Sequence, residues 1–251
     1  MLKIFSVSKS YAKSTYKAVD ELTLNVKKGV IYGFIGPNGA GKTTTIKMLT
    51  GILPFDEGSI EINGFDLKRD SINAKRSIGF VPDNHVIYEK LTGREYLNFM
   101  ADVYKVDLNQ RKLLSEKYLE LFNLTKDVDS QISSYSHGMK QKICVIGALI
   151  HNPPLWVLDE PLTGLDPQSA FELKNLMREH TKEGNTVFFS THVLEVAEKL
   201  CDRIGIINKG KLILEGTMDE IKAMGTAGES LEQIFLRLTK INSEALENEV
   251  V

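Results

Sequence analysis

A glycine-rich segment at residues 36–43 has the residue types and spacing of a phosphate-binding loop, with two glycines separated by four residues and followed by lysine and threonine. The glycines let backbone N–H groups approach a phosphate, and Lys42 adds a full positive charge. The hydroxyl of Thr43 is a suitable ligand for the Mg²⁺ that accompanies a nucleotide. We therefore predict nucleotide binding by Gly36, Pro37, Asn38, Gly39, Ala40, Gly41, Lys42, Thr43 and Thr44.

Two apolar runs with the composition of buried strands are each followed by side chains that can bind a metal or transfer a proton. Residues 155–158 are followed by Asp159 and Glu160. A carboxylate at the end of a buried strand can reach a nucleotide-bound metal, so we assign Asp159 to Mg²⁺. Glu160, the next residue, would point in the opposite direction from Asp159 and accept a proton from an attacking water. Residues 186–189 are likewise apolar and lead to His192, which we predict to be the second catalytic residue.

The order of the predicted elements indicates the class of fold. Residues 30–35 are continuously apolar, as in a strand buried on both faces, and the glycine-rich loop follows directly. Strands at 155–158 and 186–189 then alternate with helices at 168–180 and 193–200, which is the order of an α/β protein with a parallel sheet. A hairpin at residues 204–215, turning at 208–210, would form an antiparallel edge.

The other predicted elements are strands at the start of the chain and helices in its middle. Alternating or short apolar runs predict strands at residues 4–7, 22–26, 59–64 and 78–81. Thr92 and Glu95 have the spacing of a capping box that begins a helix, and a second helical pattern covers residues 114–122. Ser136 can cap a third helix that stops before Pro153.

Composition and charge exclude several classes of protein. The 251 residues include 31 basic and 33 acidic side chains, so the formal net charge is −2 and no basic surface for nucleic acid is expected. No apolar stretch approaches the roughly 20 residues of a membrane-spanning helix. The N-terminal residues lack a secretory apolar region, and the two cysteines have no paired spacing, so we expect a cytoplasmic location.

A segment between the helical region and the second carboxylate motif resembles the signature sequence of the nucleotide-binding subunits of ABC transporters. It reads Tyr-Ser-His-Gly-Met-Lys-Gln at residues 135–141, and the likeness to the family covers about residues 11–216. The resemblance implies that Ser136, His137, Gly138 and Met139 contact ATP held by the opposite subunit, by anion binding at a helix N-terminus. His137 and Met139 replace a glycine and a glutamine of the commonest version.

The same resemblance implies roles for three more side chains. Tyr11 would stack on adenine, with Tyr16 as the alternative. Asp166, in the loop after the predicted base, would link two subunits. Most of the family has a glutamine that reaches Mg²⁺ after the strand at residues 78–81. This chain instead has Asp83 followed by Asn84, and either side chain could take that role.

The fold that the resemblance implies is α/β, a P-loop NTPase core with a mostly parallel sheet, an N-terminal antiparallel β-subdomain and an inserted α-helical subdomain. The ATPase domain would cover residues 1–225, with the core at about 1–87 and 154–225 and the helical subdomain at about 88–153. Residues 226–251 would form a helical, acidic tail with Leu231, Ile234, Phe235 and Leu238 on one face.

The leading hypothesis is an ATPase subunit that binds ATP and Mg²⁺ and closes as a head-to-tail homodimer, or pseudo-dimer with a second such subunit. It would drive separate integral-membrane transporter subunits from the cytoplasmic face of the membrane, with no nucleic-acid partner. Residues 91–97 and the tail are similar to the exporter-like, ABC-2 type branch. One alternative is a soluble ATPase acting on an assembly complex. Another is a nucleotide-sensing module without hydrolysis, which rests on Asp83 and His137.

Overall fold

The computed structural model describes residues 1–12, 16–84, 87–224 and 229–237, so Leu238 and most of the predicted tail lie outside the described residues. The strands are β1 (Leu2–Ser10), β2 (Lys17–Val26), β3 (Ile31–Ile35), β4 (Glu57–Ile62), β5 (Phe65–Asp66), β6 (Ile78–Val81), β7 (Leu155–Asp159), β8 (Thr186–Thr191), β9 (Arg203–Asn208) and β10 (Lys211–Thr217). The helices are α1 (Lys42–Leu49), α2 (Ser71–Arg76), α3 (Gly93–Val103), α4 (Leu108–Leu121), α5 (His137–Leu149), α6 (Pro167–Lys182), α7 (Leu194–Leu200) and α8 (Met218–Ala223). Residues 231–237 are also helical.

The N-terminal strands form an antiparallel sheet in the order β2-β1-β4-β5. Its inner face is apolar because side chains alternate along each strand, as at Leu22, Leu24 and Val26, which are at most 2% exposed. A turn at Asn63-Gly64 joins β4 to β5 with φ values of 51° and 89°. Positive φ at both central residues is the geometry that Asn-Gly favours in a tight hairpin.

The second sheet has the order β10-β9-β3-β8-β7-β6. Neighbouring strands from β9 to β6 are parallel, and β10 pairs with β9 antiparallel at the edge. The turn of this edge hairpin is formed by Lys209 and Gly210, with φ values of 47° and 81°. The predicted α/β fold with a mostly parallel sheet and an antiparallel edge is therefore confirmed.

The register of the central strands brings three loops to one edge of this sheet. Ile35 at the end of β3 pairs with Thr191 at the end of β8. Asp159 at the end of β7 pairs with Ser190. Because the strands run in parallel, the loops that follow them emerge side by side. Residues 36, 160 and 192 consequently start from the same edge although they are far apart in sequence.

The core lies on both faces of the parallel sheet. All five residues of β3 and all five of β7 are buried, including Trp156, and Tyr32 stacks on Phe188 with ring centroids 5.5 Å apart. Helix α5 packs eight buried residues into this core, which explains its largely apolar sequence. No helix among the described residues has both the length and the apolar character needed to cross a membrane.

The two predicted helix caps agree with the structure, whereas α4 starts six residues before the pattern predicted at 114–122 and two short helices were not predicted. Thr92 and Glu95 form the capping box of α3, and Ser136 caps α5 by accepting a hydrogen bond from the Met139 N–H. The unpredicted helices α2 and α8 have six residues each, and each buries a single side chain. So short a segment shows no helical period of apolar residues, which is why the sequence pattern does not reveal it.

Two histidines, the buried His180 and the half-buried His151, are held by backbone carbonyls. His180 is 4% exposed, and its Nε2 lies 2.9 Å from the Pro153 oxygen. His151 stacks on Tyr104 with ring centroids 3.5 Å apart, and its Nε2 lies 3.2 Å from the Ile78 oxygen. A carbonyl oxygen only accepts, so Nε2 carries the proton in each ring. Burial opposes a second proton and lowers the pKa of each histidine to about 4.

We expect these histidines to make the fold less stable as the pH falls. The unfolded chain takes up protons at a pKa of about 6.5, whereas the folded histidines do so near 4, so acid favours unfolding between these values. From pH 7 to pH 5.5 the two should lower the free energy of unfolding by about 2.5 kcal/mol. Urea unfolding at both pH values measures this, and His151→Phe should halve the loss. Equal unfolding free energies at the two pH values would contradict it.

Candidate functional site

The loop at residues 36–41 depends on glycines where its backbone passes close to other strands. Gly39 and Gly41 have φ values of 79° and 109°, which other residues rarely adopt. A Cβ on Gly41 would lie 2.5 Å from the Ala18 oxygen, and one on Gly36 would collide with the Ile207 oxygen. Helix α1 starts directly after Gly41, so its N-terminal N–H groups and positive dipole end face the loop.

Lys42 is drawn back into the loop that precedes it. Its side chain is 6% exposed, and Nζ donates hydrogen bonds to the carbonyl oxygens of Gly36 at 2.7 Å and Pro37 at 3.3 Å. A buried ammonium needs such partners because burial removes its hydration. The loop therefore holds a nearly buried positive charge beside the N-terminus of α1.

Glu160 lies between two basic side chains. Its Oε1 is 3.5 Å from Lys42 Nζ, and its Oε2 is 3.0 Å from Nδ1 of His192. Because a carboxylate only accepts, Nδ1 carries the proton in this contact and Nε2 lies on the far side of the ring. The backbone of Glu160 has a φ of 48°, and its N–H donates to the Ser190 hydroxyl at 3.0 Å.

Asp159 is a buried carboxylate in an acidic neighbourhood. Burial raises its pKa, hydrogen bonds from Ser190 and Thr43 lower it, and the nearby charges of Asp83 and Glu160 raise it further. The Ser190 hydroxyl donates to Asp159 Oδ1 at 2.5 Å. The negative charges of Asp83 and Glu160 favour a cation near Asp159, and Asp159 with the Thr43 hydroxyl forms an oxygen donor set of the kind that Mg²⁺ prefers.

The protein donors alone do not complete a metal site. Within residues 1–12, 16–84, 87–224 and 229–237, no three His, Cys, Asp or Glu side chains are grouped so that they could hold a metal ion. Mg²⁺ is commonly held by one or two protein oxygens together with substrate phosphates. Asp159 and Thr43 therefore fit a metal that arrives with its nucleotide.

The predicted adenine-stacking residue lies at the surface beside the phosphate-binding loop. Tyr11 is 45% exposed, and its hydroxyl is 3.3 Å from Oγ1 of Thr44 on α1. The alternative, Tyr16, is 76% exposed. Neither ring is part of the buried core, and the contact with Thr44 ties Tyr11 to the loop.

The four residues of the signature-like segment form the first turn of α5 and its cap. Ser136 caps the helix, and Met139 packs partly buried against the main core. The ring of His137 lies against Gly164, where an added Cβ would be 2.8 Å from the imidazole. Because residue 138 is glycine, it adds no side chain at the N-terminus of the helix. The ring of His137 is directed toward the loop that follows Glu160.

Asp166 closes that loop by capping α6. Its Oδ1 accepts from the Ser169 N–H at 2.9 Å and its Oδ2 from the Ser169 hydroxyl at 2.5 Å, while Lys142 Nζ is 3.3 Å from Oδ2. These hydrogen bonds, with the charge of Lys142, hold the pKa of Asp166 well below its usual range. Asp166 is thus an ionised carboxylate that orders its own loop.

The fold brings together most of the residues that were predicted from separate motifs: Lys42, Thr43, Asp83, Asp159, Glu160 and His192. It also reveals a residue that the patterns missed. Ser190 bridges the site because its hydroxyl donates to Asp159 and accepts from the Glu160 N–H. The available signal was a small polar residue at the end of an otherwise apolar strand, next to Thr191 and His192.

Comparison with protein families and curated proteins identifies relatives along most of the chain. The family model described as "ABC transporter" matches residues 19–163. The linearmycin resistance ATP-binding protein LnrL of Bacillus subtilis (strain 168) is 38% identical over 221 residues, covering 88% of this chain and 70% of that protein. The bacitracin transport ATP-binding protein BcrA of Bacillus licheniformis is 39% identical over 223 residues, covering 88% and 71%.

Solved structures show the same fold. An ATP-binding subunit of an ABC transporter matches with a TM-score of 0.90 and 33% identity, over 95% of this chain and 99% of that one. The dimeric ATP-binding cassette MJ0796, in a post-hydrolysis state with ADP and Pi, matches with a TM-score of 0.78 and 25% identity, over 87% and 99%. Since the family model spans more than half of the chain, the chain belongs to the family of ABC transporter ATP-binding proteins.

Proposed function

We propose that this chain binds MgATP at residues 36–44 and hydrolyses it with Glu160 and His192. The observation that carries the proposal is the position of the Glu160 carboxylate, 3.5 Å from Lys42 Nζ and 3.0 Å from His192 Nδ1. One carboxylate thereby connects the phosphate-binding lysine with a second titratable side chain. A general base must lie within hydrogen-bond reach of the water that attacks the phosphate, and Glu160 lies at the edge of the phosphate site.

Lys42 and the N-terminus of α1 would bind the phosphates. Lys42 is held by two loop carbonyls and faces Glu160. A nucleotide phosphate carries more negative charge than either carbonyl, so the ammonium would turn toward it and weaken its contact with Glu160. Binding of ATP would in this way release the Glu160 carboxylate for its role as a base.

Asp159 and Thr43 would hold the Mg²⁺, with Asp83 as a further candidate on the acidic side of the site. When bound, Mg²⁺ would neutralise charge on the phosphate oxygens. Ser190 keeps Asp159 in place through its hydroxyl. Asp83 is exposed and influences Asp159 through its charge, so its contact with the metal would be the weaker one.

The hydrolytic step would proceed by attack of one water on the γ-phosphorus of ATP. As the new P–O bond forms, Glu160 takes a proton from the water. The bond between the γ-phosphorus and its bridging oxygen breaks, and ADP leaves with the electron pair. His192, oriented by its Nδ1–H contact with Glu160, would present Nε2 to the γ-phosphate and the water. Nε2 of the neutral ring accepts from the water, and Nε2–H of the imidazolium donates to the phosphate.

Each ATP-binding site would be completed by residues of a second subunit. Ser136, His137, Gly138 and Met139 lie at the N-terminus of α5, where helix N–H groups and the dipole favour an anion. We assign this turn to the γ-phosphate of ATP held by the partner subunit, in a head-to-tail homodimer or a pseudo-dimer with a related subunit. Asp166 would contribute to communication between the two, and Tyr11 would stack on adenine.

The proposed organisation follows the arrangement of the elements. Residues 1–87 and 154–225 would form the ATPase core and residues 88–153 the helical subdomain, which includes α3, α4 and α5. Residues 226–251 would form the tail. The core would work at the cytoplasmic face of the membrane, bound to integral-membrane subunits of an exporter-like system. LnrL and BcrA are named for resistance and transport, which favours this proposal over a soluble assembly ATPase.

Loss of the Lys42 charge should weaken ATP binding. Hydrogen bonds to charged groups contribute roughly 1.5–3 kcal/mol, so Lys42→Ala should bind ATP about 10- to 100-fold less tightly. Titration calorimetry measures the affinity, and a phosphate-release assay measures turnover. Lys47→Ala, an exposed lysine on the same helix, is the matched control. If Lys42→Ala hydrolyses ATP as fast as the unaltered chain, the phosphate site is wrongly assigned.

Replacing Glu160 by Gln should separate binding from hydrolysis. A general base contributes about 10²–10⁴-fold to a rate, so turnover should fall by at least about 100-fold while ATP binding persists. ATP should then hold the chain as a stable dimer, seen as a doubled mass in light scattering. Glu120→Gln makes the same charge change at an exposed position on α4 and should behave normally. Unchanged hydrolysis by Glu160→Gln would remove Glu160 as the base.

A membrane partner should be recoverable with the chain. We expect a tagged chain isolated from detergent-solubilised membranes of its native host to bring an integral-membrane protein with it. Mass spectrometry of the purified complex identifies that partner. Repeated isolation of the chain in a complex with water-soluble proteins alone would favour the assembly ATPase instead.

A further inference from the structure

The loop that follows Glu160, residues 161–166, is attached to helix α5 of the same chain. We call it the post-Glu160 loop. Three pairs of residues join the loop to the helix: Gln141 with Pro161, His137 with Gly164 and Lys142 with Asp166. Leu162 and Leu165 also pack against the core to which α5 belongs. The post-Glu160 loop and the first two turns of α5 therefore form one packed unit.

Gln141 is the most deeply buried polar residue of this contact. It is 1% exposed, and its Nε2 donates a hydrogen bond to the Pro161 carbonyl oxygen. The amide must face the loop in this orientation, because a carbonyl cannot donate to Oε1. Among the described residues, Oε1 has no hydrogen-bond partner. Burying a half-satisfied amide opposes stability, so packing alone does not account for a glutamine here.

The backbone that Gln141 holds is adjacent to a strained residue. Glu160 has a φ of 48°, a conformation that non-glycine residues keep only where surrounding contacts enforce it. Its N–H donates to Ser190 Oγ, and its carbonyl oxygen accepts from the Thr163 N–H at 3.2 Å. The Gln141 amide fixes the next carbonyl, that of Pro161. Without it, the peptide between Pro161 and Leu162, the next one along from that of Glu160, would lose its side-chain restraint.

We infer that Gln141 is a positioning residue for Glu160, coupling the N-terminal end of α5 to the geometry of the base. This inference rests on the proposed function, because it assigns to Gln141 the task of holding Glu160 where it can accept a proton. Gln141 would not touch ATP. Its removal should slow hydrolysis and leave nucleotide binding and ATP-driven dimer formation intact.

The first test is Gln141→Met, which keeps the length of the side chain and removes the donor. Displacing a catalytic group slightly costs on the order of 10- to 100-fold in rate, so kcat should fall by that factor. KM should stay within about twofold, and ATP should hold the variant as a dimer, as in Glu160→Gln. The control Gln110→Met makes the same exchange at an exposed position on α4. Thermal unfolding of both variants is measured in parallel.

A second variant, Gln141→Glu, tests the hydrogen bond itself. It replaces the first test if Gln141→Met unfolds below the assay temperature. When ionised, its carboxylate would repel the Pro161 carbonyl. When protonated, it can donate as the amide does, and burial favours the protonated form. Turnover relative to the unaltered chain should therefore recover as the pH falls from 8 to 6.

The outcomes separate this inference from the proposed function. The inference alone is overturned if Gln141→Met hydrolyses ATP as fast as Gln110→Met, if its defect lies in KM or dimer formation, or if Gln141→Glu shows no recovery in acid. Both are overturned if the unaltered chain hydrolyses ATP no faster than Lys42→Ala. A fall in kcat with normal KM and dimer formation, together with acid recovery of Gln141→Glu, supports the inference.

Discussion

The parallel pairing of β3, β8 and β7 is the constraint on which the site depends. These strands end in register, so the loop before Lys42, the Asp159-Glu160 pair and His192 emerge at one edge of the sheet. Lys42 and Glu160 are 118 residues apart in sequence and His192 and Glu160 are 32 apart, yet their side chains lie within 3.5 and 3.0 Å of each other. The buried apolar strands provide a rigid base from which short loops carry the charged groups. As an ATPase subunit of the ABC transporter family, the chain concentrates its chemistry at this edge.

Concentrating charge at the sheet edge has an energetic consequence. Asp159 is 3% exposed and close to two other carboxylates, and burial is the main cause of its raised pKa. Lys42 is also nearly buried, with loop carbonyls and Glu160 as its partners. Such a site is more favourable once a cation joins the acids and a phosphate joins the lysine. MgATP brings both charges together, which is a physical reason for binding it as one unit.

Sequence patterns predicted the elements and the separate motifs well, because strands buried on both faces and capped helices leave strong local signals. Thr92 with Glu95 and Ser136 marked the starts of α3 and α5 correctly. Contacts between distant segments leave no such signal. The Ser190 bridge and the Gln141 contact with Pro161 depend on strand register and on how α5 packs. Asp166 was assigned to a subunit contact by resemblance, and its capping of α6 emerged only from the structure.

The central claim is that one chain supplies only half of each ATP site. A crystal structure of the Glu160→Gln chain with MgATP tests it most directly. We predict two chains with two nucleotides, each held by residues 36–44 of one chain and by residues 136–139 of the other. ATP bound completely by one chain, with residues 136–139 of the neighbouring chain away from the phosphates, would contradict the claim.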